Sequence, residues 1–275
     1  YIRNRVNSGE LINNMMTALY SAATGMNAQQ TNMDVISNNL ANVDTNGFKK
    51  SRADFQDLMY QTKVVPGAST GQDTNNPTGL QVGTGVKTVG TKKLFSQGNF
   101  KDTSNPLDVA IEGNGFFQIT KPDGSLAYTR NGSFNMDEEG NLVTAEGYYL
   151  EPAISIPVEA QNFSIAKDGR VTADVNNQTQ EFGRITLANF VNPNGLMNVG
   201  NNLYQTTVAS GQAAIENPGT GNTGTLLQNY LETSNVKIVN EMVDMIAAQR
   251  AYEINTKTIN TADTMLQAAN NLKRG

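Results

Sequence analysis

The stretch that decides the fold is NVKIVNEMVDMIAAQRAYEINTKTINTADTMLQAANNL, which runs from Asn235 to Leu272. It contains no glycine and no proline, and apolar side chains recur in it every seven residues, as in a coiled-coil seam. The recurring positions are Met245, Tyr252, Ile259 and Leu266, and Met242 stands half a heptad before the first of them. The pattern predicts one helix of roughly 55 Å, too long for a domain of this size to bury along its whole length. We therefore expect a partner outside the domain.

The N-terminal stretch predicts a second helix that pairs with the first. With Leu19 as the first heptad position, the a and d places as far as Val43 are apolar except at Gln29. The apolar places are Leu19, Ala22, Met26, Met33, Ile36, Leu40 and Val43. Two interpretations stay open. The two helices form an antiparallel hairpin within a single monomer, or they form a helical layer that packs against further copies of the chain. The second is favoured because the C-terminal helix is apolar on more than one stripe, which a single partner leaves partly uncovered.

Composition excludes several functional classes. The 275 residues carry a net charge of −5, and they include no cysteine, no histidine and no tryptophan. The missing cysteine removes thiolate catalysis and cysteine metal sites, and the missing histidine removes the commonest general base and the commonest metal ligand, so we expect neither an enzyme nor a bound cofactor or metal. No basic stripe indicates nucleic acid binding, and no apolar run is long enough to predict insertion into a membrane.

The period of the apolar pattern changes to two between Thr91 and about Tyr204. Short runs such as LDVAIEG and GFFQITK alternate there with Asp-Gly, Asn-Gly and Glu-Gly turns, which predicts an all-β domain. Before it, from Thr62 to Gly90, glycine and proline are frequent among threonine, asparagine and glutamine. That composition predicts an extended, loop-rich arm, which we expect neighbouring molecules to order.

The predicted fold class is α+β: long N- and C-terminal helices paired as a coiled-coil layer, an extended arm, and a central all-β domain. The expected boundaries are a leader at 1–15, an N-terminal helix at 16–46, an arm at 47–92 together with 225–234, a β-rich outer domain at 93–224, and a C-terminal helix at 235–275. The leader fits neither heptad pattern. We expect it to be foreign to the fold, because Gly9-Glu10 can be encoded by a string like a ribosome-binding site shortly before Met15. A short disordered leader is the alternative.

Two motifs imitate chemistry that the chain does not complete. Residues 42–47, NVDTNG, resemble the opening of an EF-hand loop, but the twelfth place, where a bidentate glutamate belongs, is Ala53. The acidic run Asp137-Glu138-Glu139 offers two carboxylates for acid and base catalysis, yet it lies in a predicted hairpin turn, where such side chains are usually solvated.

Several segments together resemble the flagellar rod and hook family of bacterial axial proteins. The rod signature of that family is similar to SAATGMNAQQTNMDVISNNLANVDTNGFKKSRADF, and its terminal signature is similar to ETSNVKIVNEMVDMIAAQRAYEINTKTINTADTML. Its β-domain is similar to LDVAIEGNGFFQI and YTRNGSFNMDEEGNLVTAEGYYL. The arm that distinguishes distal rod subunits from hook subunits is similar to YQTKVVPGASTGQDTNNPTGLQVGTGVKTV.

The resemblance implies a structural subunit of the distal rod, the rigid hollow shaft that transmits torque to the hook and surrounds the export channel. Its implied partners are further copies in a helical array, adjacent rod and hook subunits, and the P and L ring proteins. The implied location is the flagellar basal body, reached through the flagellar type III apparatus without a cleaved signal.

The resemblance also implies roles for individual residues. Packing in the inner tube is expected of Leu19, Met26, Met33, Ile36, Leu40, Val43, Met242, Met245, Tyr252, Ile259 and Leu266. Stiffening of the rod by the arm is expected of Val64, Pro66, Pro77, Leu80, Val82 and Val86. The alternatives are another flagellar axial subunit, namely a second rod protein or a short hook protein, and a periplasmic carbohydrate-binding or enzymatic β-domain.

Overall fold

The computed structural model describes residues 8–66, 69–71, 74–75, 78–157, 159–176 and 178–272, with side chains from 15 to 268 outside the gaps and outside 69–75. The described chain forms two α-helices at its ends and 22 β-strands between them. It divides into two compact units. Terminal helices around a central β-rich region confirm the α+β class.

The helical unit contains both helices and the first six strands. It takes in the chain up to Asn38, the segment from Ser51 to Lys92, and the chain from Val239 onward. Its helices are α1 (Ser8–Ala41) and α2 (Ile238–Leu272). Its strands are β1 (Ser51–Asp57), β2 (Tyr60–Val64), β3 (Ser69–Gly71), β4 (Thr74–Asn75), β5 (Leu80–Gly83) and β6 (Val86–Lys93).

Both helices differ from their expected bounds. Helix α1 begins at Ser8, inside the predicted leader, and ends at Ala41, where the backbone turns before Gly47. Helix α2 begins three residues after Asn235, and the side chain of Asn235 bonds to the backbone of the β-rich unit. Its Oδ1 accepts from the Lys50 amide at 2.7 Å, and its Nδ2 donates to the Leu94 carbonyl at 2.8 Å.

The segment expected to be a loop-rich arm is largely paired backbone. Strand β1 pairs with β6, β2 pairs antiparallel with β5, and β3 pairs with β4. Phe55 lies in β1 and is 37% exposed, and Met59 follows that strand at 85% exposed.

The β-rich unit contains residues 39–50 and 93–238. Its strands are β7 (Phe100–Asp102), β8 (Val109–Glu112), β9 (Phe116–Thr120), β10 (Leu126–Thr129), β11 (Asn135–Met136), β12 (Leu142–Val143), β13 (Tyr149–Glu151), β14 (Gln161–Ile165), β15 (Arg170–Val175), β16 (Gln178–Arg184), β17 (Leu187–Asn189), β18 (Met197–Gly200), β19 (Leu203–Gln205), β20 (Ala214–Glu216), β21 (Thr225–Gln228) and β22 (Tyr230–Glu232).

The largest sheet of this unit has nine strands, in the order β11-β12-β13-β9-β10-β19-β18, with β17 joining β9 to β20. A second sheet of three strands, β14-β15-β16, packs its Ile165 and Val171 into the same core as Phe117 and Leu150. Strands β21 and β22 pair with β8 and β7. Residues 225–232 thus belong to the β-rich unit, not with the arm where the sequence had grouped them.

Candidate functional site

One face of α2 is shielded within the described chain. Most of its buried and half-buried residues recur at alternating steps of four and three, which is the spacing of a coiled-coil seam. The series is Glu241, Met245, Ala248, Tyr252, Asn255, Ile259, Ala262 and Leu266. Four of the expected interface positions lie in it, with Tyr252 the most exposed of the four at 36%. Met242 does not, because Glu241 occupies the seam place at 1% exposed while Met242 is 51% exposed.

A second face of α2 exposes apolar side chains. Val239 is 72% exposed, Val243 60% and Ile246 56%. Together with Met242 these residues follow the i, i+3, i+4, i+7 spacing of one helical stripe. Ile254, further along, is 65% exposed. This outer stripe, residues 239, 242, 243 and 246, has no cover from the described part of the chain.

The expected positions on α1 are more shielded. Ile36 is 5% exposed, and Leu19, Met26, Met33, Leu40 and Val43 are half-buried. The two helices touch near the middle of α1, where the Thr256 hydroxyl donates to the Met26 sulfur at 3.3 Å. A Cβ at Gly25 would lie 3.0 Å from Asn255 Nδ2, so the helices approach closely at that point. Nearby, Met15, Ala18, Ile254 and Met265 line an apolar groove of about 490 Å³.

The arm positions are partly exposed. Val64, Val82 and Val86 are half-buried, Leu80 is 52% exposed and Pro66 is exposed; Pro77 lies outside the described residues. The base of the arm is held to α1, because the Val86 amide donates to Thr24 Oγ1 at 3.4 Å. A Cβ at Gly85 would fall 2.2 Å from the same hydroxyl, so this approach requires glycine.

A buried ion cluster in the β-rich unit joins three distant segments. Lys49 Nζ pairs with Glu232 Oε1 at 2.6 Å, and Arg130 Nη2 pairs with Glu232 Oε2 at 3.0 Å. The Lys49 and Glu232 side chains are 0% exposed and that of Arg130 is 4% exposed. No inference from the sequence had assigned these residues a role. The only available signal was that charged residues stand inside the quoted TNGFK, YTRNG and YLETSN segments.

The surrounding backbone completes the hydrogen bonding of this cluster. Lys49 Nζ donates to the Ser96 carbonyl at 2.9 Å, and Arg130 Nη1 donates to the Gly115 carbonyl at 2.6 Å. Burial lowers the pKa of Lys49, as does the neighbouring Arg130, while Glu232 opposes both effects. Burial also lowers the pKa of Arg130 against the pull of Glu232. One carboxylate thus neutralises one of two buried cations, and carbonyl dipoles stabilise the remaining charge.

Gly47 places Lys49 in this cluster. Its φ is +72°, which favours glycine, and a Cβ there would lie 2.7 Å from the Asn131 amide nitrogen. Its own amide donates to the Glu232 carbonyl at 2.7 Å. The turn at Asn46-Gly47 therefore brings residues 47–49 against both Arg130 and Glu232.

The acidic run at 137–139 has a structural role. Asp137 Oδ1 accepts from the Asn141 amide at 2.7 Å and from the Glu139 amide at 3.0 Å, which closes the turn around Gly140. The hydrogen bond from the Asn141 backbone holds the pKa of Asp137 below its usual value. The Asp137 carboxylate accepts hydrogen bonds from its own turn and is held in the ionised form, so it is not arranged as a general acid.

Two kinds of feature are absent from the described residues. No helix there is long and apolar enough to span a membrane. Within the same residues, no group of three or more histidine, cysteine, aspartate or glutamate side chains is placed to hold a metal ion.

Three family models match this chain. Residues 19–49 match the model described as flagella basal body rod protein, residues 110–173 match the flagellar hook protein FlgE/F/G D1 domain, and residues 227–272 match the flagellar basal body rod FlgEFG protein C-terminal region. Each matched range contains one member of the ion cluster: Lys49, Arg130 and Glu232 respectively.

Curated relatives match over nearly the full length. The flagellar basal-body rod protein FlgG of Buchnera aphidicola subsp. Baizongia pistaciae is 53% identical over 255 residues, covering 92% of this chain and 98% of the relative. The FlgG of Bacillus subtilis is 42% identical, covering 94% of this chain and 100% of the relative. The flagellar hook protein FlgE of Escherichia coli is 27% identical, covering 93% and 100%.

Proposed function

This chain belongs to the FlgG family of flagellar basal-body rod proteins, and we propose from that premise that it is a structural subunit of the distal rod, self-assembling helically into the hollow shaft that transmits torque to the hook. The higher identity to rod relatives than to the hook relative favours a rod subunit over a hook subunit. Membership of the family places the protein in the flagellar basal body. It also supports a structural protein over the alternative of a periplasmic enzyme or carbohydrate-binding domain.

The observation that carries this proposal is the exposed outer stripe of α2. Its four side chains are between 51% and 72% exposed in a single chain. Full burial of a fully exposed side chain of this kind stabilises by about 1.5–3 kcal/mol, and covering the exposed part of these side chains recovers roughly half of that, so the stripe favours association. A contact between two different surfaces of identical subunits extends into a helical filament whenever its rotation does not close into a ring, and the proposal takes this open form.

The coiled-coil seam is the second element of the proposal. We propose that α1 and α2 form the inner tube around the export channel, with Leu19, Met26, Met33, Ile36, Leu40 and Val43 packing against Met245, Tyr252, Ile259 and Leu266 of the same and neighbouring copies. The Met26 to Thr256 contact supports it, as does the partial or full burial of these positions other than Tyr252, which is 36% exposed. Met242 belongs to the outer stripe and not to the seam, so we propose that it contacts a neighbouring copy from there.

The remaining partners are proposed from the family alone. They are adjacent rod and hook subunits along the axis and the P and L ring proteins around it. We also propose export through the flagellar type III apparatus without a cleaved signal. The exposed Pro66 and Leu80 of the arm suit a segment that inserts between neighbouring subunits.

Replacing Tyr252 by Asp tests the assembly role of the helices. A carboxylate on the seam of every copy is expected to abolish swimming and to remove the chain from purified basal bodies, because each contact would then bury a charge. Tyr252→Phe keeps the ring and serves as the control, with motility preserved. A motile strain that carries Tyr252→Asp would refute this role.

A deletion of residues 64–86 tests the arm. We expect the shortened chain to be exported but to build rods that bend in electron micrographs, because the segment between neighbouring subunits is lost. Replacing the same residues with a glycine and serine stretch of equal length separates the effect of spacing from that of the side chains. Straight, normally rigid rods from the deletion would contradict the proposal.

A further inference from the structure

Charge is distributed unevenly along the β-rich unit. Between Arg184 and Glu232 the sequence holds a single charged residue, Glu216. The preceding stretch, from Lys93 to Arg184, carries acidic and basic residues throughout. One part of this unit is therefore almost free of charge although the whole chain carries −5.

The charge-free stretch exposes apolar side chains. Val191 is 96% exposed and Val208 is 104% exposed, which is as accessible as an isolated residue. Met197 and Val199, on strand β18, are 50% and 38% exposed. We call residues 190–200 and 206–211 the uncharged surface.

The two loops that carry the valines are held together. Asn192 Nδ2 donates to the Ala209 carbonyl at 3.1 Å, and the Thr207 hydroxyl donates to the Gly195 carbonyl at 2.6 Å. A Cβ at Gly195 would lie 2.6 Å from the Ser210 amide nitrogen, so the two backbones are in contact. The valines thus stand on fixed backbone, which lowers the entropy lost when they bind.

Strand β18 adds an unprotected sheet edge to this surface. It is the last strand in the order of its sheet, and all four of its residues are exposed. Its sequence, MNVG, contains neither the lysine nor the proline with which edge strands usually discourage pairing. Such an edge is typical of a strand that another protein covers.

We propose that the uncharged surface binds a second copy of this chain; the inference rests on the proposed function and names one of its contacts. Two copies of an acidic protein repel each other, and they approach most easily through a surface that carries no charge. Interface cores are depleted of charged residues in the same way. The charged remainder of the β-rich unit stays outside this contact.

Site-specific photocrosslinking tests the contact. In a helical array the uncharged surface would contact a different surface of the next copy, so the probe must react with whichever residue it meets. We therefore replace Val208 by benzoyl-phenylalanine in the full chain. Basal bodies are purified and then irradiated. The expected product is a dimer of the 29.6 kDa chain, identified by mass spectrometry. The same probe in place of Glu138, in the acidic turn, is the control and is expected to give no such dimer.

The possible results distinguish failure of the proposed contact from failure of the proposed rod function. A crosslink from position 208 only to a different protein, or no crosslink at all, overturns the inference while leaving the rod assignment intact. Absence of the unmodified chain from basal bodies overturns the proposed function and the inference with it.

A charge substitution gives an independent readout. Val208→Asp is expected to leave the melting temperature of the monomer unchanged, because the side chain touches little in the single chain, and to lower the amount of chain in basal bodies more than tenfold. Met136→Asp, on the opposite edge strand β11 beside the acidic turn, is the matched control and should assemble normally. Normal incorporation of Val208→Asp would overturn the inference.

Discussion

At the scale of single residues, Glu232 holds the β-rich unit together. It is the only acidic member of a cluster with two cations, and its own backbone carbonyl also accepts from Gly47. A buried ion pair adds little over an apolar replacement, but removing one partner leaves a buried charge without compensation. The stability of this unit therefore depends on the complete set and not on any single contact.

Glu232→Gln is expected to lower the free energy of unfolding by about 3–5 kcal/mol, because it leaves Lys49 and Arg130 as buried cations facing a neutral amide. Urea denaturation measures the change. The control is Arg170→Gln, which breaks a surface pair with Asp168 whose side chains are 50% and 44% exposed and which contributes about 0–1 kcal/mol.

A coupled change sharpens this test. Adding Lys49→Met to Glu232→Gln removes one of the uncompensated cations, so the double variant should be more stable than the sum of the two single changes predicts. Simple additivity would show that the three side chains do not act as one cluster.

At the scale of elements, the terminal helices combine one shielded face with one exposed face. Most of the stability of a helix in a protein comes from packing its apolar face, and isolated helices are marginal in water. The outer stripe of α2 is uncovered in the described part of the chain, and in the proposed rod neighbouring copies would cover it. The helices are therefore the elements whose stability should change most on assembly.

Amide hydrogen exchange tests this expectation. In the purified monomer, residues 16–45 and 236–272 should exchange fast, and in isolated rods they should be strongly protected. The buried strands β9 and β10 supply an internal control, since they should be protected in both states. Equal protection of the helices in monomer and rod would instead indicate a self-contained helical hairpin.

Local sequence pattern predicted these elements well, and it predicted their pairing poorly. Heptads without glycine or proline indicate helices, and frequent Asp-Gly and Asn-Gly turns indicate strands. Each of these signals is formed by residues that are close together in the sequence, so it can be read from the sequence alone. The pairing of β1 with β6 and the ion cluster depend on residues far apart in sequence. Arg130 and Glu232 are separated by 102 positions, and Lys49 and Glu232 by 183. No periodicity links such positions.

At the scale of the whole molecule, acidic turns make stability depend on pH. The pKa of Asp123 is lowered by hydrogen bonds from Ser125, that of Asp137 by the Asn141 backbone, and that of Asp174 by Thr179. A carboxyl whose folded pKa lies below its unfolded value of about 3.9 contributes stability above that value and loses it as pH falls through the folded pKa.

The melting temperature of the full chain is therefore expected to be nearly constant from pH 7 to about 5 and to fall once the pH drops below about 4. Asp137→Asn should melt lower than the unsubstituted chain at pH 7 and show a smaller loss on acidification, because its turn no longer contains the titrating group. Circular dichroism melts across this range measure both. An unchanged acid profile in the variant would show that Asp137 contributes nothing to it.

The ion cluster also affects when the core can close in a chain that emerges N-terminus first. Lys49 and Arg130 come out early, and the carboxylate that pairs with both of them follows 183 residues after Lys49. Until Glu232 arrives, closing the core around two cations is unfavourable, and contacts between residues so distant form slowly. If the chain is exported as proposed, it is expected to stay open until almost all of it has passed and to become compact only afterwards.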